Sequence, residues 1–478
     1  MIASPWLPGL RGYSKRQVFV HVRRPCISSK AALLVACLIV IPIVGLLFSE
    51  GYVRCAQQIS LALAAGCMLI WLFRNAGTPY ATLALIAGRL ATVAVATIFI
   101  EPYYLSTTGL DAELYHSVGM QVAESLWNNG KFPIIGLNWG TNGYGIYTGI
   151  CYLLFGVSPL AIKLLNTGIA AAGSVLFYRA YVLHYRRTNQ VLRVLLFFSP
   201  ALLYWSSIHG KDPLTFFSLG LGFFGIAKFA KEGSNTGLFL CLLGGLFLFF
   251  IRPHIACVYL AALSLVFLLL SFSKKRSVMA RFASIACLTF VILGANFVVH
   301  DYLQGGVSSA DAILEGVSAQ HDALDSGKTA LDVPNLTGWE SAVEYLPYGA
   351  ATVMFRPFPW ENGGLFFRLT SLEQLALTAA EIVFIGYFLV GLFQGSLRGI
   401  YGVISRLSKD ALATFVCAYL VGFVLLFTYI AGNLGTLARE KIQLAPFVWC
   451  GAFAVVSRCH NSYWMKATWL RHILCRER

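Results

Sequence analysis

Charged side chains that could perform chemistry lie in short polar segments between long apolar runs. One of them, Asp111-Ala112-Glu113-Leu114-Tyr115-His116, follows an apolar run that ends near residue 100. A carboxylate at a membrane edge and close to aromatic rings can act as a general base, and Asp111 is our catalytic candidate. Glu113 and Tyr115 are candidate substrate contacts. The alternative is an ordinary solvated acid at a helix N-terminus, which the helix dipole favours.

Two later polar segments also carry candidate substrate-binding residues. Lys211 and Asp212 precede Pro213, and Arg252 and His254 lie at the next break between apolar runs. A turn in which Pro213 opens a helix and Lys211 pairs with Asp212 would explain the first segment without any function. Arg252 and His254 could line the mouth of a site for an anionic head group, or they could anchor the chain at the membrane interface.

The last two candidate segments combine cations with aromatic residues or with a carboxylate. Arg356, Trp360 and Glu361 belong to the sequence Arg-Pro-Phe-Pro-Trp-Glu, in which two prolines restrict the backbone and the Trp favours a membrane interface. A loop that rests on the membrane would have the same composition. Arg439 and Lys441 are cations on the side where few basic residues lie. A guanidinium offers a forked set of donors to a phosphate, although a plain turn is the alternative.

The composition predicts a membrane protein. Of the 478 residues, 58% are hydrophobic and 12% are charged, which is about half the charged fraction of soluble domains. Apolar runs of about 15 to 20 residues match the ~30 Å of hydrocarbon that a helix must cross. The net charge of +15 comes from basic residues in short joints between these runs, so we exclude nucleic acid as a partner. The twelve cysteines form no CxxC pair, which argues against a structural zinc site or a disulfide framework.

The apolar runs predict an all-α, polytopic transmembrane bundle of about twelve helices with both termini in the cytoplasm. Most of the 36 Lys and Arg residues fall on one side and most of the 21 acidic residues on the other. Residues 144–156 are too short to cross the membrane, and we interpret them as an interfacial helix, with a second one at 339–355. The predicted spans are 31–49, 56–73, 81–100, 157–180, 191–208, 214–230, 236–251, 254–272, 282–299, 376–395, 411–431 and 442–457.

This topology divides the chain into three parts. A transmembrane domain over residues 31–457 lies between basic cytoplasmic tails at 1–30 and 458–478. Two long loops, 101–156 and 300–375, face outward and hold most of the carboxylates, aromatic residues and prolines. An enzyme that works at the outer membrane face needs such loops more than a scaffold or a channel does.

The order of these motifs resembles that of the GT-C superfamily of membrane glycosyltransferases, which includes aminoarabinose and protein mannosyl transferases. The resemblance is best over residues 81–230: Asp111-x-x-x-Tyr115, the stretch 143–156, a helix that ends in basic residues, and then Asp212-Pro213. In that family the first outer loop carries the catalytic Asp and two juxtamembrane helices. The chain departs from the pattern because Ala112 separates two acids that are adjacent in most members, and because no large soluble C-terminal domain follows.

Two further segments, Arg356 to Glu361 and Gly435-x-x-x-Arg439, resemble parts of bacterial polysaccharide-cluster membrane proteins. The family resemblance implies inverting transfer of a sugar from a polyprenyl-phosphate-linked donor to a glycan, lipid or protein acceptor. Asp111 would deprotonate the acceptor hydroxyl, while Arg439, with Lys441 or Arg252, would hold the leaving phosphate.

Other functions stay open on the residues alone. A polysaccharide polymerase or ligase would use similar chemistry, and a transporter or flippase and a non-catalytic assembly component are further alternatives. Ion-coupled carriers bury several charges within their helices, whereas Arg89 and Glu381 are the clear ones here. Glu113 or Asp212 could bind a divalent metal, although no metal-specific spacing supports one. The expected location is the inner membrane of a bacterium, with the active face toward the periplasm.

Overall fold

The computed structural model describes residues 52–102, 111–133, 135, 139–272, 277–303, 329–331, 334, 338–361, 365–393, 402, 405 and 407–459. The helices of the first half are α1 (Tyr52–Asn75), α2 (Pro79–Val95, extended by a π-turn over Ala96–Ile100), α3 (Asp111–Asn129), α4 (Trp139–Phe155), α5 (Pro159–Tyr185), α6 (Gln190–Phe198) and α7 (Pro200–Trp205). Those of the second half are α8 (Asp212–Glu232), α9 (Asn235–Ile251), α10 (Pro253–Ser271), α11 (Ser277–Leu303), α12 (Trp339–Phe355), α13 (Leu365–Phe393), α14 (Ala411–Ile430), α15 (Leu434–Glu440, extended by a 3-10 turn over Lys441–Gln443) and α16 (Ala445–Cys459).

The chain is an all-α, polytopic integral membrane protein. Within the described residues, eight helical segments are long and apolar enough to span a bilayer, and each coincides with a predicted span. Helices α9 and α16 are apolar but shorter, with 17 and 15 residues, or about 25 Å and less at 1.5 Å per residue. The spanning segments are Ala56–Asn75, Pro79–Ile100, Pro159–Tyr185, Asp212–Glu232, Pro253–Ser271, Val278–Ala295, Phe367–Val390 and Ala411–Ile430.

Two of the twelve predicted spans do not appear in the structure as single helices. The first, 31–49, lies outside the described residues. The span predicted at 191–208 is divided into α6 and α7 at Ser199. Pro200 cannot donate a backbone hydrogen bond, and the Ser199 hydroxyl accepts one from the Leu202 amide to begin the new helix (3.5 Å). The predicted break after residue 251 is confirmed, because α9 ends at Ile251 and α10 begins at Pro253.

Helix α13 begins earlier than the sequence suggested, so the predicted outer loop 300–375 contains its first turns. Glu373 is a charged residue inside this helix, and hydrogen-bond donors at the start of α7 satisfy its carboxylate. Glu373 accepts hydrogen bonds from the Ser199 hydroxyl and from the Ala201 amide (2.7 Å). The predicted helix at 339–355 is confirmed as α12, and its position at the membrane interface stays a prediction.

The core of the bundle is formed by α5, α8, α10 and α14, in each of which at least half of the most apolar stretch is buried inside the protein. Phe447, at the start of α16, contacts an aromatic ring on each of several core helices. Its ring centroid lies 5.1 Å from Phe177 on α5, 5.1 Å from Phe223 on α8 and 4.7 Å from Tyr419 on α14. Buried aromatic pairs of this kind add stability beyond the area that they bury.

Charged residues gather at the two ends of the bundle. At one end, Asp410 accepts hydrogen bonds from His184 (2.9 Å) and from Arg458. Burial alone would raise the pKa of Asp410, but the hydrogen bond from His184 and the charge of Arg458 outweigh it and lower that pKa. The opposite end, which we call the site end, brings Asp111 and Arg439 into direct contact.

Glycines on helix α4 allow it to pack closely against the neighbouring helices. It begins at Trp139, earlier than the predicted 144–156, and packs against α3 and α9. A Cβ atom on Gly143 would overlap the backbone carbonyl of Phe250 at the end of α9. A Cβ atom on Gly149 would overlap the side chain of Val122 on α3. The absence of these side chains allows the backbones to approach closely, which suits helix packing in membranes.

We predict that Gly143→Ala lowers the free energy of unfolding by about 1–3 kcal/mol, because a backbone carbonyl cannot move aside cheaply. Thermal unfolding in detergent measures the change. The matched control is Gly386→Ala on α13, where no described atom outside the local helix backbone lies within 4 Å of the new methyl group. That variant should be neutral or slightly stabilising, since Ala favours helix over Gly by roughly 0.5–1 kcal/mol. Equal stability of the two variants would contradict the close approach of α4 and α9.

Candidate functional site

Two arginines share one buried carboxylate at the site end. Asp212, the first residue of α8, is 0% exposed. Its Oδ1 accepts a hydrogen bond from Arg252 Nη2 (2.7 Å), and its Oδ2 accepts one from Arg439 Nε (2.8 Å). Charge-assisted hydrogen bonds of this kind are among the strongest in proteins, and an acid at a helix N-terminus is further stabilised by the helix dipole.

Glu440 completes the charge balance around Arg252. Arg252 Nη1 donates to both carboxylate oxygens of Glu440, and Gln443 Nε2 donates to the same carboxylate. Burial alone would lower the pKa of Arg252, but the charges of Glu440 and Asp212 outweigh it and raise that pKa. The sequence did not single out Glu440 as a site residue. The signal was present, because Glu440 is an acid between two cations in an otherwise apolar region.

Asp111 is the exposed acid of this network. Arg439 Nη1 donates to Asp111 Oδ2 over 3.2 Å, and the Asp111 side chain is 60% exposed, so that it can contact a bound molecule. The guanidinium of Arg439 also lies over the ring of Trp205, 4.9 Å from its centroid. This cation–π contact and the bond to Asp212 fix the orientation of Arg439. Trp205 was absent from the predicted site.

Lys211 provides a third cation beside Asp111. Its Nζ donates to Thr141 Oγ1 on α4 (2.9 Å) and lies 5.5 Å from the centroid of the Tyr115 ring. Burial, and next the positive charge of Arg252, lower the pKa of Lys211 to about 8, against the opposing effect of Asp111. Lys211 is therefore mostly protonated at neutral pH and loses its charge under mildly alkaline conditions.

Aromatic rings and buried polar groups hold α3 and α4 beneath these charges. Tyr115 packs edge-on against Tyr144, with 4.8 Å between ring centroids, and the Tyr144 hydroxyl accepts a hydrogen bond from Asn166 Nδ2 (2.9 Å). The ring of His209 packs against both tyrosines, with its centroid 6.3 Å from that of Tyr115 and 5.6 Å from that of Tyr144. Burial lowers the pKa of His209 to about 4, so this ring is neutral at pH 7. The predicted contact Tyr115 is thus largely a packing residue whose ring face supports Lys211.

Three predicted site residues lie apart from the network around Asp212. Glu113 lies on the exposed side of α3. His254 packs edge-on against Phe427 on α14, with 6.5 Å between ring centroids. Lys441 is buried, and its Nζ donates to the backbone carbonyls of Met354 (3.3 Å) and Arg356 (2.5 Å). Lys441 therefore holds the end of α12 and turns away from the network around Asp212.

The remaining predicted residues form a turn of their own. Arg356 Nε donates to Glu361 Oε1 (2.5 Å), and the second oxygen of Glu361 accepts from the Phe358 amide (2.9 Å). The ring of Trp360 stacks on that of Phe358 at 4.8 Å and is 74% exposed. An exposed Trp of this kind is typical of a membrane interface. The Arg356 segment is thus fixed locally by Glu361 and from behind by Lys441.

Asp212 is poorly suited to bind a metal ion. In the described part of the chain, no group of three or more His, Cys, Asp or Glu side chains could hold one. Asp212, one of the two predicted ligands, already accepts from two guanidinium groups. A cation at this position would face both positive charges at close range, which is strongly unfavourable in a buried site.

Glu440→Gln should lower the free energy of unfolding by about 3 kcal/mol, because it removes half of the negative charge that balances buried Arg252. Denaturant unfolding in detergent measures the loss. Asp111→Asn serves as the control, since its carboxylate is solvent-exposed and its bond to Arg439 contributes little to stability. If Glu440→Gln unfolded as late as Asp111→Asn, the charge balance around Arg252 would be refuted.

No protein-family model, no curated protein and no solved structure matches this chain. The fold and the site are therefore known from the structure of this chain alone. What is established is a polytopic helical membrane protein in which three acids and two arginines form an ion-pair network at one end. Lys211 lies beside this network and is bonded to Thr141. The resemblance of its motifs to membrane glycosyltransferases stays a hypothesis.

Proposed function

We propose that the chain is a membrane glycosyltransferase of the GT-C type that acts in cell-surface polysaccharide biosynthesis. It transfers a sugar from a polyprenyl-phosphate-linked donor to a glycan, lipid or protein acceptor. The reaction takes place at the outer face of a bacterial inner membrane, where the site end lies. About twelve transmembrane helices with both termini in the cytoplasm would place the site there.

A single observation carries this proposal: one exposed carboxylate lies beside a cation that a buried acid holds in place. Asp111 contacts Arg439 directly, and Arg439 is fixed from behind by buried Asp212. An acceptor hydroxyl needs a base that it can reach, whereas a phosphate needs positive charge that is already oriented. Both requirements are met within one group of side chains. Of the two acids closest to Arg439, only Asp111 is accessible.

In the proposed reaction, Asp111 accepts the proton of the acceptor hydroxyl. The acceptor oxygen forms a bond to the anomeric carbon of the donor, while the bond from that carbon to the phosphate oxygen breaks on the opposite face. The electron pair leaves with the polyprenyl phosphate, and the configuration at the sugar is inverted. Arg439 and Lys211 stabilise the charge that develops on the phosphate.

This assignment changes the predicted partners of Arg439. Arg252 is buried and already bonded to two carboxylates, and Lys441 donates to backbone carbonyls. Both are therefore poorly placed to meet a phosphate. Lys211 is only half-buried, contacts the ring of Tyr115, and lies on the same side as Asp111. We assign it the second cationic role.

The alternative functions predict a different dependence on Asp111. A polysaccharide polymerase or ligase would use the same base and the same leaving group, so it differs only in the length of the glycans that it joins. A transporter or flippase, or a non-catalytic assembly component, has no need for a base at the surface. Substitution of Asp111 therefore separates the enzymatic functions from the others.

Asp111→Asn should reduce sugar transfer about 10²–10⁴-fold, since an amide cannot accept the proton. The assay uses the full chain in lipid nanodiscs with polyprenyl-phosphate sugars, and mass spectrometry detects free polyprenyl phosphate and glycosylated acceptor. Glu124→Gln, an exposed position on the same helix, is the matched control and should keep wild-type activity. Full transfer by Asp111→Asn, or loss of transfer in Glu113→Gln instead, would contradict the role of Asp111.

Sugar transfer should also depend on pH through Lys211. Because burial lowers the pKa of Lys211 to about 8, transfer should fall as pH rises through that value and the side chain loses its charge. Lys211→Arg keeps the charge at every accessible pH, so the decline should move to higher pH. The pH profile of kcat/KM for both proteins provides the measurement. An alkaline limb that is identical in Lys211→Arg would show that Lys211 is not the titrating group.

A further inference from the structure

Arginines from three helices lie around the turn between α1 and α2. Arg179, in the last two turns of α5, donates a hydrogen bond from Nη1 to Asn75 Oδ1 at the end of α1. A Cβ atom on Gly77 would lie 3.5 Å from Arg193 Nη1, which belongs to α6. Because Asn75 and Gly77 are at most about 7 Å apart, the two guanidinium groups flank one short turn. Arg74, the residue before Asn75, is exposed at the same turn.

Aromatic rings hold the guanidinium groups of Arg179 and Arg193. Arg179 lies over the ring of Phe224 on α8, 5.0 Å from its centroid. Arg193 lies over the ring of Tyr178 on α5, 6.0 Å from its centroid. A guanidinium that stacks on a ring keeps the donors on its edge for other partners. The two arginines are therefore oriented by the bundle itself.

The positive charge at this turn is not balanced by an acid. Among the residues that the structure describes, no Asp or Glu forms an ion pair with Arg74, Arg179 or Arg193. Arg458, at the same end of the bundle, is paired with Asp410. Cations that are partly withdrawn from water are tolerated best beside an anion. The turn therefore has room for negative charge from a bound molecule.

The turn lies at the level of lipid head groups. The candidate spanning segments Ala56–Asn75 and Pro79–Ile100 end and begin at it, so it marks one edge of the membrane. Arg179 precedes His184 by five residues, or about 7.5 Å along α5. His184 is bonded to Asp410 at the end of the bundle opposite the site end. Basic pockets between transmembrane helices at a membrane edge are typical binding sites for anionic head groups.

Apolar side chains continue from the arginines along the surface of the bundle. Helices α2 and α6 contact each other, and each exposes apolar side chains beside the turn, namely Tyr80, Leu83, Val191 and Val194. A soluble anion would contact the arginines alone. A phospholipid also covers this apolar surface with its acyl chains, and it is therefore the better match.

We propose that the turn between α1 and α2 binds the head group of an anionic phospholipid. The phosphate oxygens accept hydrogen bonds from Arg179 and Arg193, whose forked donors match a phosphate. Arg74 adds positive charge at the same turn. A zwitterionic lipid would bring its own ammonium group against these arginines, so the site selects lipids with a net negative charge. The turn is remote from the proposed glycosyl transfer and does not depend on it.

Native mass spectrometry of the full chain in detergent tests the proposal, with phosphatidylglycerol and phosphatidylethanolamine as the two lipids. The wild type should bind phosphatidylglycerol more tightly. Arg193→Gln should weaken that binding about fivefold, which is the contribution of one basic residue beside anionic lipid. Arg193→Lys keeps the charge and should keep most of the binding. The matched control is Arg281→Gln, an exposed position at the start of α11, whose main neighbour is α10. It should bind as the wild type does.

Three results would overturn the proposal. One is equal affinity of the wild type for the two lipids. Another is equal weakening by Arg193→Gln and Arg281→Gln, because binding would then follow the net charge and not this turn. The third is competition by free glycerol phosphate at the concentrations where phosphatidylglycerol binds, which would make the ligand a soluble phosphate. If Arg193→Gln failed to fold, Arg74→Gln would replace it, since the Arg74 side chain is exposed and its loss should also weaken binding about fivefold.

Discussion

The site end depends on one fully buried carboxylate that serves two guanidinium groups. Asp212 is held at the start of α8, and its two oxygens bring Arg252, from the α9–α10 break, together with Arg439, from the end of α15. A buried charge must be paired to be tolerated. The chain therefore gathers residues that are more than two hundred positions apart, because any arrangement that separates them leaves a charge alone in an apolar bundle.

The division between buried and exposed members of the network gives each a different task. Asp212, Glu440 and Arg252 are enclosed, so they can fix the geometry but cannot contact a ligand. Asp111 lies outside this group and contacts it through Arg439. Preorganised charges below an accessible acid are the arrangement that general-base chemistry on an anionic substrate requires. The same short segment carries Lys441 on its other face, where its ammonium donates to the backbone carbonyls of Met354 and Arg356.

Much of this fold was predictable from the sequence, but the pairing within the site was not. Apolar runs predict the spanning helices because a bilayer demands a fixed length of them, and Pro253 marks the break after α9. Of the candidate residues that the sequence offered, the structure brings Asp111, Lys211, Asp212, Arg252 and Arg439 together at the site end, whereas Lys441 and Arg356 make separate contacts. The sequence could not distinguish the two groups, since every one of these residues is a polar residue in a joint. Glu440 and Trp205 were missed because their roles depend on contacts between distant helices. Glu373 was assigned to a loop because the groups that satisfy its carboxylate, the Ser199 hydroxyl and the Ala201 amide, lie at the start of α7, far from it in the sequence.

A double-mutant cycle on Asp212 and Arg439 tests the shared carboxylate most directly. The free energy of unfolding in detergent is measured for Asp212→Asn, Arg439→Gln, the double variant and the wild type. Each single change removes one ion-pair partner from the charge that remains, so the double variant should lose less than the sum of the two, with a coupling energy of about 0.5–3 kcal/mol. Losses that add to within roughly 0.5 kcal/mol would mean that the two residues do not interact, and the account of the site would be wrong.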